Sequence, residues 1–239
     1  DPSLAGLNLT KLPYQFYIPL SILLPTLFIF IALAVKYSGI VKTDVAQRMS
    51  LFVPLIASFL IFNEVVQFNK IVGIVIGLIA VVFSVGWTKK STATSSSSNS
   101  IYPIIVFIGM GFIDILFKQI AQYKEIPYTT SMFVVFIGAM LFAALILAYK
   151  ESRKKDSLDK SAIVWGLILG LFNFVNIYYY MKAHRAISEN PSIVFTAMNV
   201  GVIVLGSLVG VFMFNEKLSL TNKIGLVLAV ISILLIAYL

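Results

Sequence analysis

The sequence of 239 residues is 59% hydrophobic and only 12% charged, with a mean hydropathy of +0.97. Soluble domains have about 45–50% apolar and about 25% charged residues. The composition therefore excludes a soluble globular enzyme, a disordered chain and a nucleic-acid-binding domain, and it indicates a polytopic membrane protein. The net charge of +8 fits this class, because basic residues gather in cytoplasmic loops. The absence of cysteine excludes a disulfide framework and thiolate metal sites.

Eight apolar segments follow one another, and each is near the length that a helix needs to cross about 30 Å of hydrocarbon. None shows the polar alternation of a barrel strand. We therefore expect an all-α fold, a bundle of transmembrane helices. A Ser-rich stretch over residues 91–100 has the composition of a flexible linker. The segments are Ile18–Val35, Val45–Phe62, Ile71–Trp87, Ile101–Ile120, Ser131–Tyr149, Ala162–Met181, Ile193–Phe214 and Leu220–Leu239.

An internal repeat relates the two parts of the chain. The tripeptide Phe-Asn-Glu closes the second segment at Glu64 and the seventh at Glu216, and the same offset of 152 residues relates Gly73 to Gly225. This offset pairs segments 1 to 3 with segments 6 to 8 and leaves segments 4 and 5 without counterparts. The pattern predicts two inverted five-helix repeats, with the first two of ten helices missing and an origin about 50 residues before Asp1. Residues 1–90 would hold three helices of the first repeat, and residues 101–239 the complete second repeat.

The repeated residues favour structural roles. Glu64 and Glu216 lie at helix ends beside polar turns, so each carboxylate is expected to cap or anchor the helix that follows it. Gly73 and Gly225 lie early in the closing helices, and glycines at four-residue spacing let helices approach closely. Two such pairs are Gly73 with Gly77 and Gly166 with Gly170. Asn190 and Pro191 are expected as the cap and the first residue of a helix.

With these features the chain resembles the drug/metabolite transporter superfamily, and in particular its EamA-type members. The resemblance rests on both copies of the glutamate, turn and glycine pattern, and on the helix that ends at His184-Arg185-Ala186 before Asn190-Pro191. It implies ten helices and a carrier that moves a small metabolite, amino acid or drug-like solute by alternating access. It also implies a central cavity between the two halves and an integral protein of the bacterial cytoplasmic (inner) membrane. No cofactor, metal or nucleic acid is expected, and a homodimer stays open.

Ionisable residues inside apolar segments are the first candidates for the cavity, because such groups at membrane depth usually face a cavity or a partner. Asp114 and Lys118 lie four residues apart on one helix face. They could bind a zwitterionic solute, or they could neutralise each other while Lys118 reaches the membrane interface. Gln47 and Arg48 share a face of the second segment. Arg48 could bind a carboxylate in a bidentate manner, or it could be an interfacial charge.

Uncharged polar stripes supply the other cavity candidates. Asn173, Asn176 and Tyr180 occupy one face of the sixth segment, and Thr196 with Asn199 occupies one face of the seventh. These side chains could line the cavity or hydrogen-bond across helices. Deeper in the second segment, Pro54 is expected to allow a kink. The single histidine, His184, is expected at the surface rather than as a proton switch.

Three function classes remain, and a secondary transporter, exporting its solute, is the leading one. An intramembrane enzyme would need a nucleophile with a base or a metal cluster, and one histidine without any cysteine leaves little to build either. A lipid flippase or a non-transporting scaffold is the alternative. A closed polar cavity favours a solute, whereas a groove open to the side favours a lipid.

Overall fold

The computed structural model describes residues 12–65, 67–84, 101–153, 160–214 and 219–238. Within these ranges the chain is all helical, without a strand, which confirms the expected fold class. Each apolar segment corresponds to one helix, apart from the second, which forms two. The helices are α1 (Tyr14–Ser38), α2 (Ile40–Met49), α3 (Phe52–Leu60), α4 (Phe68–Ser84), α5 (Ile101–Gln122), α6 (Tyr128–Arg153), α7 (Lys160–Ala186), α8 (Pro191–Phe214) and α9 (Leu220–Tyr238).

Four of the described helices are long and apolar enough to cross a membrane. The spans are Tyr14–Ser38, Ile101–Gln122, Tyr128–Lys150 and Ser161–Ala186. Shorter apolar stretches lie in α4, α8 and α9, at Ile71–Ala80, Pro191–Val202 and Lys223–Ser232. Helices of this length and composition make the protein an integral membrane protein.

The break between α2 and α3 has its cause in Pro54, as the sequence predicts. Proline has no N–H, so the carbonyl of Ser50 cannot receive the usual bond from four residues later. The N–H of Val53 bonds to Ser50 instead, at 3.0 Å, and this tighter turn separates the two helices. The separation of α1 from α2 has a different cause, the backbone conformation of Gly39. Gly39 has φ of +88°, a conformation that is strained for residues with a Cβ.

The closing helices of the two repeats, α4 and α9, pack on each other through small side chains. The hydroxyl of Ser232 donates to the carbonyl of Gly73 at 2.7 Å, and Ala80 and Ala229 lie in one buried cluster. Each residue of one stripe is the counterpart of a residue of the other, at the offset of 152. The stripes are Gly73, Gly77 and Ala80 on α4 and Gly225, Ala229 and Ser232 on α9, and all six are buried.

The chain divides into two compact units that do not follow the predicted repeat boundary. Unit 1 holds residues up to Phe28 together with Leu116–Ser188, and unit 2 holds Ile29–Ile115 together with Glu189–Leu239. Each unit therefore contains helices assigned to both repeats. The division into repeats at residues 91–100 stays a prediction, because that stretch lies outside the described residues.

In unit 1, α1 and α6 are joined by polar groups. The hydroxyl of Tyr17 donates to Ser131 at 2.6 Å, and the hydroxyl of Ser21 donates to the carbonyl of Val135 at 3.1 Å. Buried hydroxyl pairs of this kind hold transmembrane helices together, since lipid offers them no alternative partner.

The first half of α7 is unlike the rest of unit 1. Residues 161–172 are all exposed, and a Cβ added at Gly166 or Gly170 would meet nothing within 4 Å. The expected packing role of this glycine pair is therefore wrong within the part of the chain that the structure describes. At Gly77, by contrast, a Cβ would lie 2.7 Å from the Ser232 hydroxyl, so close helix approach is confirmed there.

Candidate functional site

Lys118 is the most deeply enclosed charged side chain among the described residues. It lies near the end of α5, is fully buried, and donates from Nζ to the carbonyl of Ser188 at 2.8 Å. Gln122, one turn further on, donates to the same carbonyl at 2.8 Å. Its ammonium group thus ends on a carbonyl in the turn just beyond α7, and the expectation that Lys118 reaches the membrane interface stays a prediction.

Aromatic side chains surround this lysine's end of unit 1. The ring of Tyr180 lies edge-on to His184, with centroids 4.5 Å apart, and at 6.3 Å from the ring of Phe117, the residue before Lys118. His184 is fully buried, so the expected surface position is wrong. The prediction from sequence failed because the charged neighbours Lys182 and Arg185 indicate a position exposed to solvent. The helical turn instead directs His184 to another face of α7.

The polar stripe of α7 does not have one environment. Tyr180 is buried, Asn173 is half-buried and Asn176 is exposed. An exposed amide within an apolar span has no partner in lipid, so its position is favourable only if it faces water or another polar group. Of this stripe, the structure brings only Tyr180 together with the Lys118 region.

The candidates on α2 and α5 of unit 2 are half-buried. Nε of Arg48 lies 2.8 Å from Oδ2 of Asp44, an i,i+4 ion pair whose side chains are 25% and 42% exposed. The carbonyl of Gln47 accepts a bond from the Ser50 hydroxyl at 2.6 Å. Asp114 lies half-buried in α5.

The candidates on α8 differ in how their polar atoms are satisfied. Asn199 donates to the carbonyl of Phe195 in its own helix at 3.1 Å, rather than across helices. Thr196 is buried, and its hydroxyl has no hydrogen-bond partner among the described residues. A buried hydroxyl without a partner is costly, and such groups are more often found where a ligand or water supplies the bond.

The repeated glutamate of the first copy has an unexpected partner. The carboxylate of Glu64 is buried and accepts two bonds from Ser192, at 3.0 Å from its N–H and at 2.5 Å from its hydroxyl. Ser192 is the second residue of α8, so the carboxylate lies where the positive end of that helix favours an anion. Glu64 therefore caps α8, a helix that the sequence analysis did not connect with it, and its expected role at the start of α4 stays a prediction.

The counterpart Glu216 lies outside the described residues, so its expected role stays a prediction. The start of α8 at Pro191 confirms the helix-start signal of Asn190 and Pro191. That signal predicted where α8 begins and where its first N–H groups need acceptors. No feature of the sequence indicated that an acid 128 residues away would accept such a bond. Among the described residues, no group of three His, Cys, Asp or Glu side chains could hold a metal ion.

The fold and the enclosed polar groups define a polytopic helical membrane protein, and comparison with known proteins gives its family. A model of the EamA-like transporter family matches residues 98–238. The chain belongs to this family, whose members are membrane transporters of the drug/metabolite kind rather than enzymes.

Two further comparisons found similar proteins. An uncharacterized protein of Haemophilus influenzae is 35% identical over 243 residues, which cover 100% of this chain and 82% of that protein. A protein of known crystal structure matches with a TM-score of 0.70 at 14% identity, covering 97% of this chain and 79% of that chain. At that identity the second likeness establishes the fold alone.

Proposed function

We propose that the protein is a secondary transporter that exports a small metabolite, amino acid or drug-like solute by alternating access. Family membership over residues 98–238 is the observation that carries this proposal. The enclosed polar side chains of apolar helices support it, since Lys118 and Thr196 would be costly to bury for packing alone.

We further propose that the solute is bound by polar side chains of the candidate set. In this proposal Asp114 and Lys118 supply charge, while Tyr180, Thr196 and the amides of α7 and α8 supply hydrogen bonds. The buried hydroxyl of Thr196 is a group to which a solute could donate or accept a bond. Arg48 is expected to contribute less, because Asp44 already holds its guanidinium group. The complete candidate set is Gln47, Arg48, Asp114, Lys118, Asn173, Asn176, Tyr180, Thr196 and Asn199.

Flux into and out of proteoliposomes tests the proposal. The complete protein is reconstituted and offered a broad panel of labelled metabolites, amino acids and cationic drugs. At least one solute is expected to move, and Asp114→Asn and Asn176→Ala are expected to slow its flux at least about fivefold. Glu125→Gln, which removes an exposed charge in the turn after α5, is the control and is expected to leave flux unchanged.

Two outcomes would contradict the proposal. If no solute of the panel moves through well-folded protein, transport of this kind is not its function. If a solute moves but both cavity variants leave its flux unchanged, the binding site lies elsewhere. Movement of a labelled phospholipid between leaflets would instead support the flippase alternative.

The cellular setting is proposed on the same basis. We place the protein in the cytoplasmic membrane of a bacterium, which the relative from Haemophilus influenzae supports. A homodimer is compatible with the exposed apolar face of α7. Cross-linking in native membranes, followed by mass measurement, tests the oligomeric state.

A further inference from the structure

Two turns at one end of unit 1 are tied together by side chains in a reciprocal manner. From α5, Lys118 and Gln122 both donate to the carbonyl of Ser188, in the turn after α7. From α7, Arg185 donates to the carbonyls of Tyr123 and Ile126, in the turn after α5, at 3.3 and 3.4 Å. Each helix thus holds the chain that leaves the other helix. We call these six groups the reciprocal clamp.

The clamp has a clear electrostatic basis. Carbonyl groups at and beyond a helix C-terminus carry the negative end of the helix dipole. Cationic donors there form charge-assisted bonds, which are shorter and stronger than bonds between neutral groups. The bond of Lys118 has this short length, at 2.8 Å, whereas the bonds of Arg185 to two carbonyls are longer and weaker, at 3.3 and 3.4 Å. The clamp therefore favours a closed arrangement of the two turns.

Next to the clamp, α5 and α7 meet at an aromatic contact between Phe117 and Tyr180, whose ring centroids lie 6.3 Å apart. Ile120 and Ala121 on α5 and Met181 on α7 are buried in the same part of the two helices. We call this part of the two helices the α5–α7 seam, and the clamp joins the turns that follow it.

All acceptors of the clamp lie outside the helices. The carbonyls of Tyr123, Ile126 and Ser188 belong to turns, so releasing them breaks no bond within α5 or α7. Water can satisfy such carbonyls once the turns separate. The arrangement can therefore open without unfolding a helix.

The clamp also lies where the chain passes between the two compact units. The chain enters unit 1 within α5 at Leu116, two residues before Lys118, and leaves it after Ser188, the acceptor of the Lys118 bond. One side chain thus ties the entry of the chain into unit 1 to its exit.

We propose that the reciprocal clamp is a releasable latch that closes the α5–α7 seam in this state and opens during the transport cycle. This inference rests on the proposed function for its role in a cycle. Closure of the seam can be measured without any solute, so an experiment can contradict the latch without contradicting the proposed function.

Cysteine labelling tests the latch directly, because the natural chain contains no cysteine. The complete protein carries one reporter, either Met181→Cys in the seam or Val200→Cys in the buried core of unit 2. The rate of reaction with N-ethylmaleimide is measured in proteoliposomes. Lys118→Met and Arg185→Gln remove the clamp's charges, Lys118→Arg keeps the charge, and Lys124→Met removes an exposed lysine of the adjacent turn as a control.

The latch predicts a local effect on labelling. Lys118→Met and Arg185→Gln should each raise the labelling rate at Met181→Cys about tenfold and leave Val200→Cys unchanged, while Lys118→Arg and Lys124→Met keep the slow rate. An equal rise at both reporters would show general loosening of the protein, and no rise at Met181→Cys would show that the clamp does not close the seam. Either result overturns the latch.

Flux measurements separate this inference from the proposed function. If a solute moves through the natural protein, Arg185→Gln, which lies outside the proposed binding set, should change the ratio of the KM values for inward and outward flux at least about threefold, which a purely structural contact would not do. Faster labelling of Met181→Cys together with an unchanged inward-to-outward ratio of these KM values would show that the latch has no part in the transport cycle. If no solute moves at all, the proposed function fails, and labelling alone decides whether the clamp closes the seam.

Discussion

Glu64 and Ser192 are 128 residues apart in sequence and joined by two hydrogen bonds inside unit 2. The acid closes the first copy of the repeated tripeptide, and the serine is the second residue of α8. The contact connects the turn after α3 to the start of α8. A short motif at a helix end thereby stabilises tertiary structure.

Removing this carboxylate is expected to destabilise unit 2. Glu64→Ala leaves the N–H and hydroxyl of Ser192 buried without an acceptor, which costs about 1.5–3 kcal/mol for a charge-assisted bond. Glu64→Gln keeps an acceptor but loses the attraction of an anion to the helix end, and should cost less, about 0.3–1 kcal/mol. Unfolding equilibria in mixed detergent micelles measure both.

The exposed acid Glu125 provides the matched control, since Glu125→Ala should leave stability unchanged. A double-mutant cycle completes the test. Ser192→Ala should cost little when Glu64 is already alanine. Additive losses for the two substitutions would show that the contact carries no coupling energy.

A pair of glycine substitutions is expected to separate the packed from the unpacked glycine motif. At Gly77 a new methyl group would lie 2.7 Å from the Ser232 hydroxyl, which is held by the carbonyl of Gly73. Gly77→Ala must displace that hydroxyl and break its bond, so overpacking should cost about 1–3 kcal/mol. Gly170→Ala meets nothing within 4 Å and should be neutral or slightly stabilising.

Thermal unfolding in detergent compares the two variants. The double variant Gly77→Ala with Ser232→Ala should lose much less stability relative to Ser232→Ala than Gly77→Ala loses alone, because the obstructing hydroxyl is gone and only the 3.3 Å contact with Thr196 Cγ2 stays tight. If Gly77→Ala is harmless, or if Gly170→Ala is equally damaging, the packing argument is contradicted.

The sequence predicted those parts of the fold that follow from local patterns. Apolar runs gave the described helices except the first half of α2, which precedes the predicted segment. Pro54 gave the break between α2 and α3, and Asn190-Pro191 gave the start of α8. The 152-residue repeat located Gly73 and Gly225, although it gave no sign that their helices pack on each other. Local patterns succeed here because a membrane helix must satisfy its backbone within its own segment.

The candidate site was predictable only as a set of residue types. Periodicity identifies the face on which Lys118 or His184 lies, but not which helix covers that face. The enclosure of Lys118 depends on the carbonyl of Ser188, 70 residues away, and on a turn whose conformation has no sequence signature. The exposure of the first half of α7 was not predicted for the same reason, because an apolar helix has the same sequence pattern whether protein or lipid covers it.

The hydrogen bond between Tyr17 and Ser131 is expected to couple α1 to α6 by a modest amount. Hydrogen bonds between transmembrane helices contribute about 0.6 kcal/mol on average and at most about 1.7 kcal/mol. Tyr17→Phe and Ser131→Ala should each destabilise the protein, and their combination should cost less than the sum. Tyr179→Phe, which removes the hydroxyl of an exposed tyrosine, serves as the control. Full additivity in the unfolding equilibrium would contradict the coupling.

The ion pair between Arg48 and Asp44 is expected to be a minor contact at the edge of unit 2. Exposed i,i+4 pairs contribute about 0.3–0.5 kcal/mol, so Arg48→Gln and Asp44→Asn should lower stability by equal, small amounts that vanish at high salt. A solute-binding arginine would behave differently. Loss of its bond to a carboxylate would raise KM at least about tenfold, because 1.4 kcal/mol corresponds to a factor of ten. KM measured in proteoliposomes for both variants decides between these roles: we expect it to stay within about twofold, and a selective rise for Arg48→Gln would assign Arg48 to the solute instead.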